Sequence, residues 1–233
     1  MSHIMVITGT RKGIGKALGE YYLNKGFSVI GCSRKEGSIA DPNYYHYQLD
    51  VADEKAVISM VKDVAKRFGR IDVLINNAGM ASMNHILLTS VDAVKKIYNT
   101  NLIGTFLFLR EVGKVMAKQK RGRIINFTSV ATPLRLAGEA IYASSKAAIV
   151  NLTEIAAKEL ADFNVTVNAV GPTPINTDLI KTVPKEKIEV LMEQQAIKRF
   201  GEFGDVTNVI DFFIDEKSDF ITGQIIYLGG VHH

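Results

Sequence analysis

Two side chains that can move a proton stand four residues apart in Tyr142-Ala143-Ser144-Ser145-Lys146. That spacing stacks them on one face of a helix. A free phenol, with a pKa of about 10, is a poor base at neutral pH. A neighbouring ammonium would favour the phenolate. Tyr142 beside Lys146 could then accept a proton from an alcohol, or return one to a carbonyl oxygen. Ser129 follows an apolar run that ends near Thr128. Its hydroxyl is therefore expected at the C-terminal edge of a sheet, where open α/β sheets bind ligands. There it could hydrogen-bond the same substrate oxygen and stabilise its developing charge. Taken singly, each residue also has an ordinary reading: a helix-end Tyr142, a strand-end hydroxyl at Ser129, a solvated charge at Lys146.

A second constellation is Thr8-Gly9-Thr10-Arg11-Lys12-Gly13-Ile14-Gly15, between a first strand and a helix. Glycines permit a tight turn and let backbone N–H groups approach a pyrophosphate, while the helix N-terminus offers its dipole to the anion. The position between strand and helix makes dinucleotide binding a stronger reading than a glycine trio alone would. After the second strand, an acidic residue would bond the ribose hydroxyls of NAD. The chain instead reads Gly31-Cys32-Ser33-Arg34-Lys35. Arg34 and Lys12, with Arg11 nearby, suit a 2′-phosphate, so NADP(H) is expected over NAD(H). Ser33 joins this expected set, and Cys32 reads as a small strand hydrophobe.

Elements that could position these groups are legible as apolar β-branched runs alternating with helical patterns. The expected strands are 4–8, 27–33, 44–49, 73–76, 123–128, 165–170 and 224–228. Helices are expected over 15–24, 54–68, 89–97, 102–118, 141–163 and 206–214. Most strands are continuous apolar runs, as strands buried on both faces require. The pattern predicts an α/β fold: a doubly wound (Rossmann) parallel sheet of about seven strands with helices on both faces. One domain over 1–233 is expected, with a substrate lid at about 173–200 that carries a helical stretch at 185–195.

The composition fits an ordinary globular chain of 233 residues, with 47% hydrophobic and 22% charged residues. No apolar run approaches the roughly 20 residues of a membrane span. One cysteine excludes an internal disulfide framework and suits a cytoplasmic setting. Met1-Ser2-His3 leads straight into the first strand, without a leader pattern. The net charge of +4 is scattered, and no nucleic-acid motif accompanies it. Its densest run, 118–123, reads as helix-terminal charge or as a surface for an acidic substrate or carrier. His3, His46 and His85 lack partners at ligand spacing, so no catalytic metal is expected.

In order and spacing these residues resemble the short-chain dehydrogenase/reductase family, from about Ile4 to Gly230. The resemblance assigns catalytic positions to Asn101, Ser129, Tyr142 and Lys146. It implies a water held by Asn101 that links Lys146 to solvent, and a Lys146 bond to the nicotinamide ribose with pro-S hydride transfer. Asp50 and Val51 match the adenine contact, and Asn77, Ala78 and Gly79 lie in the family's NNAG pattern. Pro172, Ile175 and Thr177 match positions near the nicotinamide, and Ile221–Gln224 resembles the C-terminal segment. Two departures stand out. Thr173 replaces a flexible glycine before Pro174, which puts the geometry leading into the lid in question, and Leu228 stands before Gly229-Gly230 where an acid is usual.

The general likeness is to 3-oxoacyl-[acyl-carrier-protein] reductases and relatives acting on small ketones, alcohols or sugars. Lys120 and Arg121 could supply half of a carrier-binding patch beside the cleft, although Asp162 would oppose it. Pocket walls are expected from 130–136, 80–86 and 175–195. The implied activity interconverts a carbonyl and a secondary alcohol. The alternative is a non-catalytic NADP-sensing or binding protein, a class that usually loses the tyrosine or the lysine. Helices 102–118 and 142–163 carry more apolar surface than one buried stripe needs. A homodimer or homotetramer is therefore expected.

Overall fold

The computed structural model describes residues 3–175 and 185–231. Its sheet has seven parallel strands: β1 (Ile4–Thr8), β2 (Ser28–Ser33), β3 (Tyr44–Gln48), β4 (Val73–Asn76), β5 (Gly122–Phe127), β6 (Val165–Gly171) and β7 (Ile225–Tyr227). Their order is β3-β2-β1-β4-β5-β6-β7. The order reverses between β1 and β4, and a crevice opens at such a switch point beyond the strands' C-terminal ends. The doubly wound expectation is met.

Burial follows this order. β1, β4, β5 and β6 are buried throughout, whereas the edge strands β3 and β7 are only partly covered. Alternation along β1 divides the core, with Ile4 and Val6 on one face and Met5 and Ile7 on the other. The first face is covered by α2 (Glu54–Phe68) and α4 (Gly104–Gln119) through Val57, Val61, Leu107 and Phe108. The second is covered by α1 (Gly13–Asn24) and α8 (Phe203–Ile214) through Leu18, Tyr22, Val206 and Phe213.

Helix ends explain where the chain turns. Asp53 accepts the Ala56 N–H to start α2, and Gly69 in the left-handed region ends it. α3 (Val91–Tyr98) does not stop before α4: Asn99–Ile103 continues it as a π-helical turn. One extra residue per turn rotates the faces of α4 relative to α3, a distortion frequent at functional sites. α5 (Ala131–Leu134) is a single turn after β5, and α6 (Ala140–Leu160) ends in a 3-10 turn at Ala161–Phe163. α7 (Lys185–Glu193) lies within the expected lid.

Candidate active site

The glycine loop leaves β1 and enters α1 at Gly13, which has a φ of +60° and open space where a side chain would stand. Gly15 is needed for a different reason, because a Cβ there would lie 2.3 Å from the Asn77 amide nitrogen. That amide donates to the Thr8 carbonyl at 2.8 Å, and the Thr8 hydroxyl accepts the Ala78 N–H at 2.9 Å. The NNAG segment thus braces the loop from behind. Lys12 begins α1 without a side-chain cap, and no acid sits in the first turn. The first-turn N–H groups of a helix have no intrahelical acceptor, so this terminus suits an anion.

A cleft of about 540 Å³ lies over this helix end. It gathers most of the residues expected to meet a dinucleotide: Gly9, Arg11, Lys12, Gly13, Ile14, Gly15, Ser33, Arg34, Asp50, Val51, Asn77, Ala78, Gly79 and Pro172. Tyr142 and Lys146 line it as well. Arg11, Lys12, Arg34 and Lys35 gather at one end, and none makes an ion pair among the described residues. Uncompensated cations beside a helix N-terminus fit a multiply phosphorylated dinucleotide.

Three expected residues take other places. Thr10 is fully buried and turns inward, its hydroxyl 2.7 Å from the Tyr44 phenol and its N–H donating to the Cys32 carbonyl. It therefore supports the loop and does not line the cleft. Ile175 pairs as a bridge with Gly201 and packs on the core, also away from the wall. Thr177 lies outside the described residues.

At the other end of the cleft, Tyr142 sits in the first turn of α6, with the Ser129 hydroxyl near enough to lower its phenol. Burial pushes the phenol up to about 12, with the Glu139 charge adding to the rise and the Ser129 hydroxyl opposing it. Lys146 is 5% exposed and donates from Nζ to the Phe127 carbonyl at 2.7 Å. Burial lowers it to about 8. The ammonium is engaged with a backbone carbonyl, and Ser129 is the group that lowers Tyr142.

Asn101 lies on the π-helical turn, fully buried behind the cleft. Its amide clamps the Met80 backbone, accepting the N–H at 2.7 Å and donating to the carbonyl at 2.9 Å. It also donates to Ser145 Oγ at 2.9 Å, and Ser145 donates to the Tyr142 carbonyl at 2.7 Å. Asn101 therefore steadies the turn that carries Tyr142. A Cβ on Gly79 would stand 3.5 Å from both Asn101 Oδ1 and Lys146 Nζ, so these groups converge there. Ser145 was not anticipated; its signal was its place between two chemical residues on one helix.

Two further expectations change. Thr173 is buried, and Gly201 and Gly229 make room for it, since a Cβ on either would come within 2.8 Å of its side chain. Glycines on neighbouring segments thus replace the missing glycine at the start of the lid. The basic run 118–123 ends α4 and opens β5, at the sheet edge opposite the cleft. Arg121 pairs with Glu216, and Lys120 lies over the Phe163 ring, so neither flanks the cleft of its own chain.

Known proteins share this architecture. A family model described as enoyl-(acyl carrier protein) reductase matches residues 9–232. The 3-oxoacyl-[acyl-carrier-protein] reductase FabG of Staphylococcus epidermidis is 32% identical, covering 99% of this chain and 98% of that protein. The structure of ElxO with NADP bound superposes with a TM-score of 0.90 at 33% identity, covering 99% of this chain and 98% of that one. The ligand-free aldohexose dehydrogenase of Thermoplasma acidophilum reaches a TM-score of 0.89 at 27% identity, covering 99% of this chain and 94% of that one. With the glycine loop, the switch-point cleft and the Tyr142–Lys146 pair in place, the chain belongs to the short-chain dehydrogenase/reductase family of NAD(P)-dependent oxidoreductases.

Proposed function

We propose that the protein reduces a carbonyl to a secondary alcohol with NADPH, using Tyr142 as the proton donor. The observation that carries this reading is one cleft with two dissimilar ends: four cations without an ion pair among the described residues and a helix terminus at one, Tyr142 beside Ser129 at the other. The cations and the helix end would hold the phosphates, with Arg34 and Lys12 on the 2′-phosphate. The bound nicotinamide would supply the hydride. A phenol held near 12 stays protonated at neutral pH, so Tyr142 is ready to give its proton to an alkoxide oxygen. The Ser129 hydroxyl would bond that oxygen and stabilise charge as it develops. Lys146, fixed by the Phe127 carbonyl, supplies positive charge beneath the site and a route for reprotonation.

The substrate reading is a ketone on a small molecule or on a carrier-bound acyl chain, the latter supported by the likeness to 3-oxoacyl-[acyl-carrier-protein] reductases. The non-catalytic alternative is disfavoured because both Tyr142 and Lys146 face the cleft. Ile103 and Phe106 at the start of α4, with Ile155 on α6, are exposed apolar side chains and suit pairing of copies as a homodimer or homotetramer. A cytoplasmic setting is consistent with the single buried thiol. The test is turnover with NADPH and NADH over acyl-thioester, sugar and small-ketone panels. Consumption of NADPH by one class supports the reading, and no turnover with any carbonyl refutes it.

A further inference from the structure

The edge strand β3 presents Tyr44, His46 and Gln48 at alternate positions, hence on one face. Each is engaged with a loop that lines the cleft. The Tyr44 hydroxyl lies 2.7 Å from Thr10 Oγ1 in the glycine loop. His46 Nε2 lies 3.0 Å from the Lys35 carbonyl and 3.1 Å from Ser33 Oγ, which itself donates to that carbonyl at 2.6 Å. Gln48 donates to the Arg34 carbonyl at 3.2 Å. The Tyr44 hydroxyl and His46 Nδ1, 2.8 Å apart, join the first contact to the others.

These contacts link in series: Thr10 Oγ1 to the Tyr44 hydroxyl, that hydroxyl to Nδ1, and Nε2 to the Lys35 carbonyl, where the ring nitrogen must donate because a carbonyl oxygen only accepts. Close approaches support the chain of bonds. A Cβ on Gly31 would fall 2.3 Å from both Thr10 Oγ1 and the Tyr44 hydroxyl, and one on Gly37 would lie 2.8 Å from the imidazole Cγ. From the far side, Ser38 donates to the Arg11 carbonyl at 2.8 Å. The backbone carrying Arg34 and Lys35 is therefore tied to the backbone carrying Arg11 and Lys12.

We infer that His46 is a positioning residue for cofactor choice: it sets the preference for NADP(H) by holding the Arg34-Lys35 backbone beside the glycine loop, without touching the nucleotide. The inference rests on the NADP(H) reading above. Among the described residues these cation side chains make no ion pair, and they lose entropy when they converge on one phosphate; a fixed backbone lowers that cost. NADH carries no 2′-phosphate and gains nothing from convergence. Loss of the imidazole contacts should therefore penalise NADPH selectively.

The test is fluorescence titration of the full chain with NADPH and NADH, alongside adenosine 2′,5′-bisphosphate as a probe without nicotinamide. His46→Phe should raise the NADPH and bisphosphate dissociation constants about tenfold, equivalent to roughly 1.4 kcal/mol, and the NADH constant less than about twofold. His46→Gln, which retains an amide donor, should recover most of the loss. Gly37→Ala, which crowds the ring without removing a polar group, should reproduce the loss and covers the case of a poorly folding His46→Phe. Equal weakening of NADPH and NADH would make His46 merely structural and overturn the inference. So would an unchanged preference in both His46→Phe and Gly37→Ala, which leaves the NADP(H) reading intact. A wild-type protein without preference for NADPH would overturn the cofactor reading, and the inference with it.

Discussion

Replacing Lys146 by methionine should remove the pH dependence that this buried ammonium imposes on stability. The side chain is 5% exposed, and burial lowers it from an ordinary 10.5 to about 8. Between those values the unfolded chain holds a proton that the folded chain has released, so stability rises with pH across that window. Below pH 8 the cost of burying the charge is fully present. It disappears only above the unfolded value of 10.5. A fall from 10.5 to about 8, at about 1.36 kcal/mol per pH unit, corresponds to roughly 3 kcal/mol. Methionine fills a similar volume without charge, although it forfeits the bond to the Phe127 carbonyl. That loss of about 1 kcal/mol is independent of pH and cancels when the two proteins are compared at several pH values. Urea unfolding of the cofactor-free proteins at pH 7, 9 and 10.5 measures the difference. The wild type should gain about 3 kcal/mol on Lys146→Met from pH 7 to 10.5. Parallel stability curves, with a difference constant to about 0.5 kcal/mol, would refute a buried and depressed lysine.

Other expectations test separate parts of the account. Ultraviolet difference titration of wild type against Tyr142→Phe should show no ionisation of Tyr142 up to pH 10, because burial holds its phenol near 12; a wave below pH 10 would contradict that. Arg34→Asp should shift the ratio of NADPH to NADH dissociation constants by about tenfold or more toward NADH, since a charge-assisted phosphate contact is replaced by repulsion. An unchanged ratio would exclude Arg34 from the phosphate contact. Gly15→Ala should cost roughly 2 kcal/mol or more in urea unfolding and weaken both nucleotides, because the new methyl would overlap the Asn77 amide. Wild-type stability in that variant would refute the close packing of the loop.

Much of the fold was legible because burial on both faces forces continuous apolar strands, and β1, β4, β5 and β6 carry such runs. The glycine loop, the Arg34 position and the Tyr142–Lys146 pair were readable because spacing along a turn or helix determines which side chains meet. What escaped depends on contacts between distant segments. Nothing local marks Asn99–Ile103 as a π-helical turn, because the extra residue is accommodated by packing and by the Asn101 bonds to Met80 and Ser145. Thr10 turned inward because Tyr44, thirty-four residues away, offers it a hydroxyl. The bond from the Lys146 ammonium to the Phe127 carbonyl on β5 likewise joins segments far apart in the sequence. The remote position of Lys120 and Arg121 could have been read, since residues that precede a parallel strand lie at the edge away from the crevice.

The central claim is that Tyr142 gives the proton when a carbonyl is reduced. With the best substrate of the panels, the most direct measurement compares kcat and the NADPH dissociation constant in wild type and Tyr142→Phe. Removing the hydroxyl while keeping the ring should lower kcat by about 10²–10⁴-fold, the usual contribution of a positioned acid. NADPH binding should change less than about twofold, because the phosphates are held at the other end of the cleft. Turnover by Tyr142→Phe within about threefold of wild type would contradict the account.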